Sequence, residues 1–513
     1  MENRIQSNRR MGKFANFFLL SFGYVGIRFL VAPVRARLLT EQLGKPLYAS
    51  LSLAVTTITL MAMFLALGSY EFLARRLPGI APGRQKGWLF LVLRRIALPG
   101  WLLAGAVAGA VCLFGRFGGE FLTAGNILFL WFALGLMLWL LCRVFYALGR
   151  NRIGTMRAIQ LFQNDAWFLL IFAAGTWAAA SFAHSLWIWT GWLATVALAV
   201  FLFDRTREPA VPPGEKGLRE VLAFGLPLMP MLVGEMLFRL ADRYLLLAFC
   251  EISVVAEYIL AMNIAMMAYG TGASLLDLSV PHLYASANRN PSASTASRTS
   301  FWRSSMVPTD EMRRIFSLAL RHVIGLGAVM GLGFAFFSRD IFAIIAGPEF
   351  RNAAALMPWI AGVPLTYLLA MAAGRALLVQ NRSRIVGGAT LGAALLNLAV
   401  NLVVVPLWGP HGAALSTLGS LMALAVFLFV VIDIPRWIDR RTWKPGHLLA
   451  GIAACAAADW TIVTLLPDAS HWVRLPLAAV PALLTFWLAK VFTPSDMALL
   501  RAANPTGSDK PER

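Results

Sequence analysis

Residues 221–249 have the sequence VLAFGLPLMPMLVGEMLFRLADRYLLLAF, which is long and apolar enough to cross a lipid bilayer. The stretch nevertheless contains four ionisable side chains: Glu235, Arg239, Asp242 and Arg243. Each ionised side chain near the centre of a membrane helix costs roughly 2.5–3.5 kcal/mol, so these four need partners, water or a ligand. At about 100° per residue they share one side of a helix, which predicts a polar stripe facing a cavity. The alternative is a ladder of two ion pairs that only joins helices: Glu235–Arg239 and Asp242–Arg243.

The rest of the chain is similarly apolar, since 59% of its 513 residues are hydrophobic. Segments of membrane-crossing length follow one another with short polar loops between them, which excludes a soluble domain. The first segment is too long for a signal-peptide core and lacks a small-residue cleavage site, so we interpret it as a retained span. The four cysteines show neither disulfide nor metal-ligand spacing. The fold class is therefore all-α, a polytopic membrane protein.

We predict fourteen spans, and an even number places both termini on the same side. The spans lie near 14–34, 47–70, 96–114, 125–147, 158–180, 184–203, 222–248, 254–280, 315–337, 354–374, 385–406, 411–432, 446–466 and 472–492.

The net charge of +20 is distributed unevenly between the two sides of these spans. With the amino terminus taken as cytoplasmic, most of the 45 Lys and Arg residues fall in inner segments. The predicted outer loops hold only Arg35, Arg37, Lys45, Arg116, Arg339, Arg351 and Arg474. This asymmetry follows the positive-inside rule, so it indicates cytoplasmic termini and membrane lipids as neighbours, not nucleic acid.

An internal repeat relates the two halves of the span pattern. Placing Arg143 over Arg375, 232 residues later, also aligns two further arginines and sets Asp165 opposite Asn397. A looser match pairs Tyr48 with Tyr258. Both matches relate spans one to six to spans seven to twelve, which predicts two lobes in parallel orientation.

The repeat and a polar, proline-rich segment between the halves predict the domain boundaries. They are an N-terminal lobe at 1–203, a cytoplasmic linker at 204–219, a C-terminal lobe at 220–433, an additional helical pair at 434–495 and a cytoplasmic tail at 496–513. Two parallel lobes with charged groups at their seam are the arrangement of an alternating-access transporter.

Two further ions lie inside predicted spans of the first lobe. Arg28 is the basic residue of a first span that contains no acid, and a guanidinium facing a cavity suits phosphate. The alternative is that Arg28 pairs with Asp165 or Glu235, or reaches a lipid headgroup. Asp165, on span five, is interpreted as a proton or sodium carrier or a counter-ion, the alternative being a hydrogen bond between helices.

Other motifs are few. Pro227 and Pro230 interrupt the start of span seven and indicate a hinge. No nucleotide fingerprint, catalytic constellation or metal-ligand motif is present, so we expect no enzyme activity, no cofactor and no metal.

Several motifs resemble the polysaccharide-export flippases of the multidrug/oligosaccharidyl-lipid/polysaccharide exporter superfamily. One is the Gly-Leu-Pro of residues 225–227, followed by Asp242-Arg243 at the helix end and Tyr258 in the next helix. Another is NLVVVPLWGPHGAALSTLGS at 401–420. The resemblance covers roughly residues 10–435.

This resemblance implies a flippase that moves undecaprenyl-diphosphate-linked oligosaccharide across the bacterial inner membrane. By this hypothesis Arg28, Arg239 and Arg243 bind the diphosphate or acidic sugars. Asp165, Glu235 and Asp242 would be coupling or counter-ion groups. A polysaccharide polymerase and glycosyltransferases are the implied partners, and the residues do not choose between H⁺, Na⁺ and the membrane potential as driving force.

Three alternatives remain open at the level of sequence. A multidrug exporter of organic cations and a flippase for the lipid-linked peptidoglycan precursor would share the two-lobe plan. A membrane glycosyltransferase or polymerase is the alternative from a different class, and it would need a nucleotide-sugar site or a large outer loop.

Overall fold

The structure is a computed structural model that describes residues 2–114, 123–150, 152–203, 213–289, 308–380 and 382–488. Its described residues are almost entirely helical. The first-half helices are α1 (Glu2–Leu65), α2 (Ser69–Arg76), α3 (Pro82–Val92), α4 (Leu98–Phe114), α5 (Ala124–Gly149), α6 (Ile153–Asn164), α7 (Phe168–Ala174), α8 (Thr176–Ala179) and α9 (Phe182–Phe203).

The second half continues with a comparable series of helices. They are α10 (Gly214–Gly225), α11 (Met229–Phe249), α12 (Ile252–Arg289), α13 (Asp310–Phe336), α14 (Ser338–Ile345), α15 (Met357–Ile360), α16 (Val363–Val379), α17 (Ser383–Ile432), α18 (Ile434–Trp437), α19 (Arg440–Trp443), α20 (Pro445–Leu465) and α21 (His471–Leu488). Short 3-10 turns at Leu77–Gly79, Leu226–Leu228 and Pro348–Leu356, and a π-helical turn at Leu93–Ala97, connect some of them.

Nine stretches among the described residues are long and apolar enough to cross a membrane, or ten if the pair Pro348–Ile360 and Val363–Val379, bent by 44°, is one span. The longest of the nine far exceeds a single crossing. Ser383–Ile432 contains 50 residues, which is about 75 Å of helix against a hydrocarbon core of about 30 Å. The prediction of an all-α, multi-pass membrane protein is confirmed, while the count of fourteen spans stays a prediction.

The helices α1 and α17 each bend at a glycine with positive φ. In α17 the bend lies at Gly409, with φ 55°, a conformation that glycine adopts without the steric cost of a Cβ. The Nδ2 of Asn397 donates to Oγ of Ser416 at 3.2 Å across this bend, so the two parts of α17 run side by side as a hairpin. In α1 the bend lies at Gly44, with φ 65°, between the predicted first and second spans.

The seam between the two predicted lobes is formed mainly where α1 packs along α12 and α11. At one end of the seam Gly225, the first residue of the Gly-Leu-Pro motif, lies directly against the turn after α1. A Cβ on Gly225 would stand 2.1 Å from the carbonyl oxygen of Leu67. Glycine is therefore required there by the close approach of two backbones.

Some local predictions need correction. Arg35, Arg37 and Lys45, assigned above to an outer loop, lie on helical residues of α1. Span five is interrupted at Asp165, because α6 ends at Asn164 and α7 begins only at Phe168.

The predicted linker at 204–219 also differs in part from the structure. Residues 204–212 lie outside the described residues. From Gly214 the rest of the predicted linker is helical, because α10 begins there and leads into α11. Pro227 lies in the 3-10 turn between α10 and α11, and Pro230 lies in the first turn of α11. The backbone thus changes helix type where the hinge was predicted, and the hinge role itself stays a prediction.

The additional helical pair corresponds to α20 and α21, which pack on each other and on α13. Residues 489–513, which include the predicted tail at 496–513, lie outside the described residues. The lobe boundaries at 1–203, 220–433 and 434–495 stay predictions.

Candidate functional site

A cavity of about 280 Å³ lies on the seam, between both parts of α1, the break after α6 and the middle of α12. Its polar lining residues are Tyr24, Arg35, Tyr48, Ser52, Thr56, Asn164, Asn263, Thr271 and Ser274. Its apolar wall includes Trp167 from the first lobe and Met266 and Met267 from the second. We call this space the central cavity.

A buried ion pair borders the central cavity on the first-lobe side. The Nη1 of Arg35 lies 2.8 Å from Oδ1 of Asp165, which is fully buried, and donates a second hydrogen bond of 2.9 Å to the Asn164 carbonyl. That carbonyl belongs to the last residue of α6. A broken membrane helix is tolerated where protein groups satisfy the freed backbone. Arg35 therefore both neutralises Asp165 and stabilises the helix break.

The sequence analysis did not identify Arg35 as a site residue. Because Arg35 lies near the end of a predicted span, it was counted among the basic residues of the loops. The spacing of Arg28 and Arg35 in the sequence could have indicated that Arg35 belongs to the site. Seven residues correspond to about two helical turns, a spacing that predicts two positions on the same face of a helix. The side chain of Arg28 itself lies outside the described residues.

Arg243 reaches across the seam from α11. Its Nη1 donates to Oγ1 of Thr56 at 3.1 Å, and its Nη2 lies 3.5 Å from Oδ1 of Asn263. Asn263 in turn lies 3.4 Å from the hydroxyl of Tyr48. Thr56, Asn263 and Tyr48 all line the central cavity, so Arg243 stands directly behind its wall.

Asp242 is oriented into the second lobe. Its Oδ2 accepts a 2.5 Å hydrogen bond from the Tyr258 hydroxyl, and its Oδ1 accepts from the backbone N–H of Arg243 at 2.8 Å. It does not line the central cavity.

A neutral polar network lies in the same lobe on α17. Asn397 donates to Ser416 at 3.2 Å and to Thr417 at 3.3 Å, and Asn401 donates to Asn397 at 3.1 Å. Tyr258 also interacts with Thr417, which joins this network to Asp242.

Glu235 and Arg239 form a separate group closer to the N-terminal end of α11. Arg239 lies against the hydroxyl of Tyr367 and close to Tyr269, while Glu235 lies within electrostatic range of Arg239 and Arg375. The Nε of Arg239 is buried, and no described residue offers it a hydrogen-bond partner.

The four ions of α11 therefore divide between different surroundings instead of forming one stripe along the central cavity. Only Arg243 directly contacts residues that line it. Neither pair of the alternative ladder, Glu235–Arg239 or Asp242–Arg243, forms an ion pair between side chains within 4.0 Å among the described residues.

A set of contacts closes the seam beyond the central cavity, on the side predicted to be outer. Lys45 forms a 2.6 Å ion pair with Glu257 of α12. Arg37 donates to the Ala346 carbonyl at 2.5 Å, and Oγ1 of Thr40 accepts from the Gly347 N–H at 2.8 Å. The bend of α1 is thus fastened both to α12 and to the segment after α14.

The described residues contain no cluster of three or more His, Cys, Asp or Glu side chains that could hold a metal ion. The polar groups of the central cavity are instead amide, hydroxyl, phenol and guanidinium groups, which form hydrogen bonds to polar organic groups.

Comparison with known proteins finds similarity of fold. The chain is similar to a structure described as "Lipid II flippase MurJ, inward closed conformation", with a TM-score of 0.69 and 11% identity, over 94% of this chain and 100% of that one. It is also similar to an inward-facing multidrug resistance MATE family transporter of the MOP superfamily, with a TM-score of 0.59 and 11% identity, over 82% and 98%.

A crystal structure of MATE in complex with MaL6 gives a TM-score of 0.55 at 10% identity, over 84% of this chain and 97% of that one. No protein-family profile and no curated protein sequence matches the chain. At this low identity the similarity establishes the fold alone, so the chain has the fold of MOP-superfamily transporters.

Proposed function

We propose that this protein is a flippase that moves undecaprenyl-diphosphate-linked oligosaccharide from the cytoplasmic to the outer leaflet of the bacterial inner membrane, with both termini in the cytoplasm. The observation that carries the proposal is the central cavity, where Arg35 and the Arg243 contacts meet amide and hydroxyl side chains at the seam. A headgroup of sugars and diphosphate cannot cross hydrocarbon unaided. A polar cavity between lobes supplies its path while the lipid tail stays in the bilayer.

The cationic groups are proposed to bind the diphosphate or acidic sugars. Arg243 contacts neutral oxygens of Thr56 and Asn263, and no carboxylate of the described residues forms an ion pair with its guanidinium within 4.0 Å. Arg239 has a buried Nε without a partner among the described residues. Arg28 is proposed as a third cation on α1.

The buried acids are proposed as coupling or counter-ion groups. For Asp165 the 2.8 Å contact with Arg35 supports the counter-ion role. Asp242 and Glu235 stand near Arg243 and Arg239 respectively. A proton or sodium ion is the proposed coupling ion, and polymerase and glycosyltransferases of the same polysaccharide are the proposed partners.

Alternating access requires that the contacts on the outer side open. Lys45, Arg37 and Thr40 each join α1 to the second half of the chain by one or two polar contacts. Such contacts are weak individually, so rocking of the lobes about Pro227 and Pro230 breaks them at modest cost.

The experiment is transport by purified protein in liposomes. A lipid with labelled oligosaccharide is placed in both leaflets, and the fraction of headgroups cleaved by a membrane-impermeant glycosidase is followed with time. In vesicles that contain the protein, the headgroups of the inner leaflet should also become accessible to the glycosidase. Arg243→Ala should slow this exposure about tenfold or more through loss of a charged hydrogen bond.

Arg351→Ala is the matched control, because Arg351 is exposed and lies away from the central cavity. Its rate should equal that of the unsubstituted protein. Vesicles that protect the headgroup as well as empty liposomes do, together with binding of organic cations by the purified protein, would overturn the proposal in favour of a multidrug exporter.

A flippase for the lipid-linked peptidoglycan precursor is the second candidate, because the lipid II flippase structure matches 94% of this chain at a TM-score of 0.69. Both substrates share a polyprenyl diphosphate and differ in the attached headgroup. Competition in the same liposomes, with unlabelled lipid carrying either headgroup, separates the candidates by which one inhibits at lower concentration.

A further inference from the structure

One residue of α12 is oriented differently from its neighbours. Between Val255 and Ala265 every residue is buried except Glu257, which is half-buried, and Asn263, which is exposed. A primary amide facing hydrocarbon would be costly, and Asn263 instead lines the central cavity. The middle of α12 thus presents an amide to the cavity.

The same face of α12 continues with hydroxyl groups. Thr271 and Ser274 follow Asn263 by 8 and 11 residues, spacings that return to one face of a helix. Both line the central cavity, together with Met267 between them. We call Asn263, Thr271 and Ser274 the α12 polar strip.

The hydroxyl protons of this strip are already used. Oγ1 of Thr271 donates to the Met267 carbonyl at 3.0 Å, and Oγ of Ser274 donates to the Gly270 carbonyl at 2.9 Å. On the facing wall Thr56 donates likewise to Ser52 at 2.7 Å. A hydroxyl whose proton is committed can only accept a further hydrogen bond.

The lack of free hydroxyl donors favours the sugar part of a headgroup over its phosphate part. Phosphate oxygens are acceptors and gain no donor from the hydroxyls of Thr56, Thr271 and Ser274, whereas sugar hydroxyls bring the donors that these oxygens can accept. The indole N–H of Trp167 is committed to the Asn164 carbonyl at 3.1 Å, which leaves its ring and the side chains of Met266 and Met267 as apolar surface for the C–H face of a sugar.

We propose that the α12 polar strip is a subsite for a neutral sugar ring of the headgroup, separate from the cations that hold the diphosphate. The inference rests on the proposed function and assigns its selectivity to Asn263, Thr271 and Ser274. The central cavity, with a volume of about 280 Å³, is partly open, so one sugar ring can lie on the strip while the rest of the headgroup extends out of the cavity.

The experiment compares two ligands on the purified full-length protein in detergent: undecaprenyl diphosphate with its oligosaccharide and undecaprenyl diphosphate without it. The double substitution Thr271→Val and Ser274→Ala removes both acceptors and keeps the side-chain sizes similar. The dissociation constant of the glycosylated lipid should rise about tenfold, since two neutral hydrogen bonds are lost. The dissociation constant of the bare diphosphate lipid should not change.

Thr464→Val is the matched control. Thr464 makes the same bond to its own helix, to the Trp460 carbonyl at 2.9 Å, but it lies exposed on α20 outside the central cavity. It should alter neither constant.

The outcomes separate the two proposals. If the unsubstituted protein binds the glycosylated lipid and the double variant retains the full preference, or loses both ligands equally with normal thermal unfolding, the subsite is wrong and the proposed function stands. If the unsubstituted protein binds neither lipid, the proposed function fails and the subsite fails with it.

Discussion

Asp165 and Asn397 occupy matching positions in the sequence repeat, and their surroundings differ. In the first lobe the helix ends at Asn164 and the Asp165 carboxylate pairs with Arg35. In the second lobe α17 continues through Asn397, whose amide binds Ser416 and Thr417 across the hairpin. The first lobe thus has a buried charge pair beside a helix break, and the second has a neutral network in a continuous helix.

The difference teaches that a repeated sequence position does not imply repeated chemistry. Arg35 and Asn164 line the central cavity, whereas Asn397 and Ser416 are buried inside the second lobe. The wall of the central cavity therefore carries an ion pair on the first-lobe side and the α12 polar strip on the second-lobe side. Four sets of substitutions test this contrast.

The largest effect is expected for Arg35→Ala. It removes the Arg35 guanidinium that contacts the fully buried Asp165 at 2.8 Å, and breaking a buried pair from one side costs about 3–5 kcal/mol of the free energy of unfolding. Denaturant unfolding in detergent measures the change. Adding Asp165→Asn to the same chain should restore part of the loss, and equal stability of the single and double variants would contradict the pair.

Exchanging the chemistry of the two repeat positions should be nearly as damaging. Asn397→Asp places a carboxylate among neutral groups where Asn397 is fully buried, at a cost of about 3 kcal/mol. Asp165→Asn should cost about 1–3 kcal/mol, because Arg35 keeps its hydrogen bond to the Asn164 carbonyl. If Asn397→Asp is the milder change in the same unfolding assay, the two lobes are more alike than the contacts indicate.

Smaller effects are expected at Tyr48 and Tyr258, the two tyrosines that the repeat aligns. Tyr258→Phe removes the hydroxyl that donates to Asp242, and hydrogen bonds to charged groups contribute about 1.5–3 kcal/mol. Tyr48→Phe removes a 3.4 Å contact with Asn263 and an interaction with Ser52, both neutral groups, and should cost about 1 kcal/mol. Thermal unfolding of the two variants side by side should rank them in that order.

The smallest effect is expected where the two regions meet. Lys45 and Glu257 form one partly exposed pair across the seam, so Lys45→Ala should cost about 1 kcal/mol or less. A double-mutant cycle with Glu257→Ala isolates the coupling energy. Additive effects of the two substitutions would remove this pair from the set of contacts that closes the seam.

Much of the architecture followed from local pattern. Apolar stretches of bilayer length predict the membrane helices because hydrocarbon leaves backbone groups no partner outside the helix. Gly225-Leu226-Pro227 marked the start of the segment that became α11, whereas the Asp242-Arg243 pair, expected at the helix end, lies inside α11, which continues to Phe249. The repeat also pointed to Asp165 as a special position, although it did not show that the helix breaks there.

The side-chain partners were much less predictable. Arg35 was placed in a loop, since the α1 helix continues well beyond the apolar segment that defined the first span. The stripe on α11 was derived from angles about one helix axis, whereas Glu235 and Asp242 turn toward different neighbouring helices. Contacts such as Arg35 with Asp165 join residues 130 positions apart, which no local periodicity encodes.

The sequence by itself therefore determined the fold class, the membrane environment and which buried ions need compensation, because these follow from transfer free energies of single residues and helices. Only the tertiary structure decided which ion meets which partner and where the chain leaves a polar cavity. Those outcomes depend on the packing of α1 against α12 and on the hairpin of α17, and packing brings together residues whose distance along the chain carries no information about their distance in space.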